Sequence, residues 1–540
     1  MFTPTLSIAI ENVARASAPR VNKLLAMRGK SPILSVTLNM TFKPLLPADT
    51  IAHNMADLHL PLRAQEAIVE ADRCLYCFDA PCIAACPTGI DVPGFIKKIA
   101  SHNEVGAART ILTANILGAS CARVCPTKVL CEGACVLHDR DEKPIEIGRL
   151  QRFATDFVSE RKISVLKPPA TKNGISIAVI GAGPAGLGCA AELAQLGYSV
   201  TIFEKEKLPG GLNTYGIALY KMTPAFSLEE IELVKSLGVK IQCGVTIGKD
   251  LQIADLERDF KAIFVAIGLG AGNNLGIAGE DLPEVFDALT FIKRLHSEPL
   301  EKISIGQRVV VIGCGNTAID AVTQSIRLGA QHVSVVYRRG ADDMSAYDFE
   351  YAHAKHDGAK FFFNCMPLEV VAHSGHVSGI KLVKTHVNAV GKLEAVAGSE
   401  WIEPCDMIVK AVGQEKQVPL LKKLFPALTM NERGGIVTDA VTGATSVPHV
   451  FTGGDCSNAG REVVNAVGEG KKAAHGIHQF LSKKQPEFPT QHSRLGHKPG
   501  ASGSGLLHPI RAHELEAALA KNQLAKKISA TNGGKKKSSQ

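Results

Sequence analysis

Two stretches of this chain run from an apolar strand through a glycine-rich turn into a helical segment. That pattern, met twice, commits a chain to an α/β fold. The first is Ile175–Ile180, then Gly181-Ala182-Gly183-Pro184-Ala185-Gly186 and a helical stretch to Leu196. The glycines allow a tight turn and let backbone N–H groups approach a pyrophosphate at the helix N-terminus. The next strand, Ser199–Phe203, ends in Glu204, an acid placed to accept hydrogen bonds from ribose hydroxyls. The second stretch is Arg308–Ile312 with Gly313-Cys314-Gly315-Asn316-Thr317-Ala318. Its following strand, Val333–Tyr337, ends in Arg338 and Arg339. Arginine there suits a 2′-phosphate, where an acid would hold a free 2′-OH. The bland alternative is two solvated arginines at a strand end.

Two such units imply two nucleotides, FAD first and NADP or NAD second. A third piece supports the flavin: Val450-Phe451-Thr452-Gly453-Gly454-Asp455, followed by a helical stretch Glu462–Gly476. A carboxylate at that strand end can bind a ribityl hydroxyl while a helix dipole faces the flavin ring. The order of motifs resembles flavoproteins with two dinucleotide-binding domains, which split the FAD domain around an inserted NAD(P) domain. Ala266-Ile267-Gly268 and Ala411-Val412-Gly413 resemble that family's crossover strands. Its disulfide-reducing members carry a cysteine pair soon after the first FAD helix. No pair stands near Gly210-Gly211, so the electrons are expected to leave by another route.

Eight of the 14 cysteines lie between Cys74 and Cys135. They read Cys74-x2-Cys77-x4-Cys82-x3-Cys86-Pro87 and Cys121-x3-Cys125-Pro126-x4-Cys131-x3-Cys135. Closely spaced thiolates ending in Cys-Pro form a ferredoxin-like pattern, and eight would serve two [4Fe–4S] clusters. Structural zinc is the competing reading, since Cys-x2-Cys pairs also suit tetrahedral zinc. A zinc module would leave the flavin without an electron outlet. No apolar signal-peptide core appears, so a secreted disulfide framework is not expected and a cytoplasmic location is.

Charge removes one class of function. Residues 483–540 hold 11 Lys and Arg against 3 Asp and Glu, and the remainder carries 49 of each sign, so the net +8 lies in the tail. A basic tail ending in Lys535–Lys537 reads as a solvated end, and no nucleic-acid motif accompanies it. No run approaches the ~18 apolar residues of a membrane span. Residues 1–40 are acid-poor and carry Arg15, Arg20, Lys23, Arg28 and Lys30, as in a transit peptide. Glu11 and the lack of an amphipathic period argue against that, and Met40 is an alternative start.

From about residue 50 to 482 the chain resembles the N-terminal half of dihydropyrimidine dehydrogenase and the matching bacterial subunit. The segments that carry this are RCLYCFDAPCIAACPTGID, LGASCARVCPTKVLCEGAC, PIEIGRLQRFATDF, GAGPAGL, FEKEKLPGGL and LGVKIQCG. The small subunit of glutamate synthase is the nearest sibling. The resemblance implies that Gln151 ligates a cluster iron where glutamate synthase subunits tend to have glutamate. It then assigns one cluster to Cys74, Cys77, Cys82 and Gln151, the other to Cys86, Cys125, Cys131 and Cys135, and leaves Cys121 a free thiol. FAD would contact Gly181–Gly186, Glu204, Lys205, Gly210, Gly211, Leu212, Lys221, Gly454 and Asp455. The nicotinamide nucleotide would contact Gly313, Cys314, Gly315, Asn316, Thr317, Arg338, Arg339, Ala411, Val412 and Gly413. Lys221 replaces an arginine of the long eukaryotic enzymes, and Ser345 replaces a further arginine near the 2′-phosphate.

The expected architecture is therefore α/β: a helical two-cluster domain followed by two Rossmann-like domains, the NAD(P) domain inserted in the FAD domain. Its divisions are an extension over 1–45, a cluster domain over 46–169, FAD parts over 170–285 and 416–482, an NAD(P) domain over 286–415 and a basic, disordered tail over 483–540. The implied activity is electron transfer from NAD(P)H through FAD and two clusters to an FMN-containing partner subunit that reduces uracil or thymine. The alternatives are a glutamate synthase small subunit or similar NAD(P)H-dependent electron-input module and, from another class, a catalytically silent cluster-bearing assembly protein.

Overall fold

The computed structural model describes residues 46–483. The expected extension, the transit-peptide reading and the basic tail after Lys483 fall outside those residues.

Up to residue 175 the described chain is helical, with its first strand at Ser176. Its principal helices are α1 (Ala64–Asp72), α2 (Val92–Ala100), α3 (Glu104–Ala114), α4 (Gly118–Val124) and α5 (Ile147–Glu160). Asp91 and Asn103 start α2 and α3 by accepting the backbone N–H groups of Gly94 and Gly106. The helices pack through Phe95, Ile96, Ile99, Ile111, Leu117 and Leu150, all essentially buried. Burying such side chains stabilises by about 1.5–3 kcal/mol each. This core is continuous with that of the first sheet.

The first sheet contains β1 (Ser176–Ile180), β2 (Ser199–Glu204), β3 (Lys240–Cys243), β4 (Ala262–Val265) and, much later, β14 (Val450–Thr452). Its order is β14-β4-β1-β2-β3, all parallel. Between β4 and β14 runs a second parallel sheet of β5 (Val285–Asp287), β6 (Arg308–Ile312), β7 (His332–Val336), β8 (Lys360–Phe362) and β13 (Met407–Lys410), ordered β5-β13-β6-β7-β8. The inserted-domain topology follows from that strand order. The main helices of this region are α6 (Pro184–Gln195), α7 (Pro224–Ser236), α8 (Ala288–Ser297), α9 (Asn316–Arg327), α10 (Asp348–His356) and α11 (Val463–Ser482).

Two details depart from expectation. Ala266–Gly268 and Ala411–Gly413 are not strand residues: β4 and β13 end at Val265 and Lys410. Gly268 and Gly413 take φ of +65° and +87°, which turns the chain out of extended geometry just above the sheets. An antiparallel layer was also not anticipated. It consists of β9 (Cys365–His373), β10 (His376–Val387), β11 (Leu393–Ala395) and β12 (Trp401–Glu403). Ser374 and Gly375, both at positive φ, close the β9–β10 hairpin.

Candidate functional site

The first glycine turn is built by close approach. A Cβ on Gly181 would lie 2.4 Å from Ala266 O, and one on Gly186 would lie 2.0 Å from Gly181 O. At Gly183 a Cβ would meet nothing within 4 Å, so the turn opens onto free space at the N-terminus of α6. Glu204 accepts the Ala182 N–H at 2.7 Å and the Glu206 N–H at 2.9 Å, which fixes its carboxylate beside the turn. Gly210 donates to Ala182 O at 2.9 Å, and a Cβ on Gly211 would stand 2.9 Å from Gly183 Cα. Gly454 reaches the same place, since its Cβ would fall 2.9 Å from the Ala185 methyl. Asp455 accepts the Arg461 N–H at 3.1 Å, and burial raises its carboxyl above the usual range.

Three distant segments thus converge on one cradle of backbone N–H groups, fixed carboxylates and open space. Next to it Asn213 Oδ1 is buried with no hydrogen-bond partner among the described residues. That donor set and spare acceptor fit FAD. Sequence reasoning missed Glu469, which holds the Gly454 turn by accepting its N–H at 2.7 Å. Lys205 lies beside Glu204 in sequence and is exposed, as Leu212 is. Lys221 is engaged elsewhere: its ammonium pairs with Asp320 at 2.7 Å and Glu350 at 2.6 Å, on α9 and α10 of the second sheet's unit.

The second glycine turn borders a cavity of about 690 Å³. Gly313, Cys314, Gly315, Thr317, Arg338 and Ala411–Gly413 line it, together with Ser345. Asn316 and Arg339 are not among the lining residues; Asn316 Oδ1 accepts the Tyr347 N–H at 3.1 Å and Arg339 is exposed. A Cβ on Gly313 would stand 2.2 Å from Ala411 O, so this turn also admits only glycine. The cavity lies where the strand order reverses between β6 and β13, the place where open parallel sheets bind dinucleotides. Its far wall, Asn273–Leu275 and Lys410, was not foreseen. The signal available was Lys410 itself, a charge closing the apolar strand Met407–Lys410.

Electrostatic interactions connect the eight N-terminal cysteines in overlapping sets, although among the described residues no three His, Cys, Asp or Glu side chains converge closely enough to hold a metal ion. Electrostatic coupling links Cys74 with Cys77 and Cys135, and Cys82 with Cys74, Cys77 and Cys135. Cys125 couples to Cys121, Cys86 and Cys131. Cys131 interacts with Cys86 and also with Cys82, so the two sets adjoin, and the interactions of Cys135 named here are with Cys74 and Cys82. Gln151 is buried on α5. Its Nε2 donates to Gly118 O at 2.6 Å, on the helix α4 that leads into Cys125. Cys121 is buried, and its sulfur accepts from Asn115 Nδ2 at 3.2 Å.

Burial pushes the Cys74 thiol up to about 11 and the Cys82 thiol up to about 12, so thiolates here need a cationic partner such as cluster iron. From the other side, the fully buried Glu230 of α7 accepts the N–H groups of Ala119 at 2.8 Å and Ser120 at 3.1 Å, capping α4.

Fold and site define a nicotinamide-dependent flavoprotein with an iron–sulfur domain at its N-terminal end. Residues 175–470 match the model for pyridine nucleotide-disulphide oxidoreductases, and residues 51–163 match dihydropyrimidine dehydrogenase domain II, 4Fe-4S cluster. The chain belongs to the pyridine nucleotide-disulphide oxidoreductase family, in the branch that couples this fold to a [4Fe–4S] domain. NAD-dependent dihydropyrimidine dehydrogenase subunit PreT of Escherichia coli O157:H7 is 38% identical over 415 residues, covering 77% of this chain and 94% of the relative. Glutamate synthase [NADPH] small chain of Escherichia coli K12 is 33% identical over 466 residues, covering 83% and 98%. Among solved structures, Mycobacterium tuberculosis FprA in complex with NADPH aligns with TM-score 0.47 and 20% identity over 57% of this chain and 85% of that one. The protein is an NAD(P)H-dependent oxidoreductase that uses FAD and iron–sulfur centres. Among the described residues no helix is long and apolar enough to cross a membrane.

Proposed function

We propose that this chain is the electron-input subunit of a dihydropyrimidine dehydrogenase. It would take reducing equivalents from NAD(P)H and pass them through two clusters to a partner subunit whose FMN reduces uracil or thymine. The observation that carries the electron-transfer half is the placement of α11. A Cβ on Gly468 would lie 2.8 Å from Pro87 O, and one on Gly470 would lie 2.1 Å from Ala185 O. One helix therefore touches both the residue after Cys86 and the turn that opens the FAD cradle. When bound, FAD accepts hydride from a nicotinamide and releases electrons singly, which is what iron–sulfur acceptors require. The residues proposed to hold it are Gly181–Gly186, Glu204, Gly210, Gly211, Gly454 and Asp455. Those proposed for the clusters are Cys74, Cys77, Cys82 and Cys135 on one side, and Cys86, Cys125, Cys131 and Gln151 on the other.

The likeness to PreT and the glutamine at position 151 support the pyrimidine half. The second reading, a glutamate synthase small chain, rests on the 98% coverage of that relative. Anaerobic purification of the tagged chain from its own cells separates the two. An FMN protein with NAD(P)H-dependent uracil reduction supports the first, whereas a large glutamine-hydrolysing partner supports the second.

A further inference from the structure

The cavity beside Gly313 has a charged wall that its glycine turn does not explain. Lys410, 9% exposed, closes β13 level with Ile312 of β6 and Asp287 of β5. Its ammonium donates to Asn274 Oδ1 at 3.2 Å and pairs with Glu280 Oε2 at 3.4 Å. Glu280 is itself fixed, because it accepts the N–H groups of Leu275 at 2.7 Å and Gly276 at 3.1 Å. An ammonium has three N–H groups, so two are committed and one is spare, and Lys410 is among the residues that line the cavity.

A buried ion pair costs desolvation that apolar packing would not, so it is weak evidence for a purely structural tether. Its position supplies a second clue. In a doubly wound sheet the end of the strand after the glycine helix holds the adenosine ribose. Here that end is Arg338, past β7 on one side of β6. Lys410 stands on the other side of β6, where the remaining half of a dinucleotide must run.

Resting on the nucleotide reading of this cavity, we propose that Lys410 binds an oxygen of the nicotinamide nucleoside, a ribose hydroxyl or the carboxamide carbonyl. Lys410 thereby sets affinity for the whole dinucleotide independently of the adenine half. Glu280 and Asn274 hold its ammonium in the orientation that makes this contact.

The test is equilibrium titration of the anaerobic, flavin-loaded protein with NAD+, NADP+, ADP and 2′,5′-ADP. The charge-balanced double variant Lys410→Met with Glu280→Gln avoids leaving a buried carboxylate unpaired, and flavin content and melting temperature report its folding. A lost charged hydrogen bond predicts affinity for the dinucleotides falling roughly tenfold or more, with the adenine-half compounds nearly unchanged. Lys410→Arg should recover part of the loss. An equal fall for whole and half ligands, or no fall, would make the pair a loop tether and overturn the proposal. If the unaltered protein binds none of the four, the nucleotide reading fails and this inference with it.

Discussion

Gly468 of α11 lies against the backbone of Pro87 so closely that a Cβ would come within 2.8 Å of the Pro87 carbonyl oxygen. The flavin-domain helix and the Cys86-Pro87 turn therefore meet without an intervening side chain. Gly468→Leu should push them apart. NAD(P)H should still bleach the flavin at its normal rate in stopped-flow measurement. Reduction of the clusters should slow roughly tenfold to a hundredfold, the scale of cost for an ångström of misplacement. Unchanged cluster reduction would show that the contact is only packing.

Gln151 bonds to the first residue of the helix that carries Cys121 and ends at Cys125, and the proposed second cluster takes Gln151, not Cys121, as its fourth ligand. With Nε2 bonded to Gly118 O, the Gln151 oxygen is left as the ligand atom. Gln151→Ala should change the electron paramagnetic resonance signal of one cluster and leave flavin reduction intact, while Cys121→Ser should not alter the signal. The reverse pattern would return Cys121 to the ligand set.

Arg338 lines the nucleotide cavity and Arg339 does not. Arg338→Ala should raise the KM for NADPH about tenfold to a hundredfold and leave that for NADH nearly unchanged, the scale of a lost charged hydrogen bond. Arg339→Ala should do neither. Equal losses for both coenzymes would remove the 2′-phosphate argument.

Burial lifts the Glu230 carboxyl from an ordinary 4.5 to about 7, although Ser120 and Ala119 donate to it and Arg123 lies near. Its folded value exceeds its unfolded one, so ionisation costs stability. The cost is absent below about 4.5, grows as pH rises towards about 7, and is constant above that. Glu230→Gln removes the cost and can still cap α4. Its melting temperature relative to the unaltered protein should therefore improve between about pH 5.5 and pH 8. Parallel pH profiles would contradict this account.

Much of this arrangement was legible in the chain because backbone constraints show directly in sequence. Gly181, Gly186 and Gly313 admit no side chain, and the segments that lead into them, Ile177–Ile180 and Val309–Ile312, are unbroken apolar runs, as buried parallel strands tend to be. The partition of the cysteines was not legible. Spacing places four thiolates on a loop, but tertiary folding decides which distant cysteines approach one another, and it brings Cys135 towards Cys74 and Cys82 and Cys131 towards both Cys86 and Cys82. The cavity's far wall was equally hidden. Lys410 and Asn274 are far apart in sequence, and the backbone pairing of Ala271–Asn273 with Gly413–Glu415 brings them to one cavity. The β9–β12 layer was missed because its alternation is broken by two shifts in register along β10.

The central claim is that electrons from NAD(P)H reach the N-terminal clusters through FAD. The direct measurement is rapid anaerobic mixing of the holoprotein with NAD(P)H, beside the same protein stripped of FAD, followed by flavin absorbance and freeze-quench electron paramagnetic resonance. The account predicts flavin bleaching first, then a reduced-cluster signal, with no cluster signal in the stripped protein. Clusters that stay oxidised while the flavin is reduced, or that are reduced equally without FAD, would contradict it.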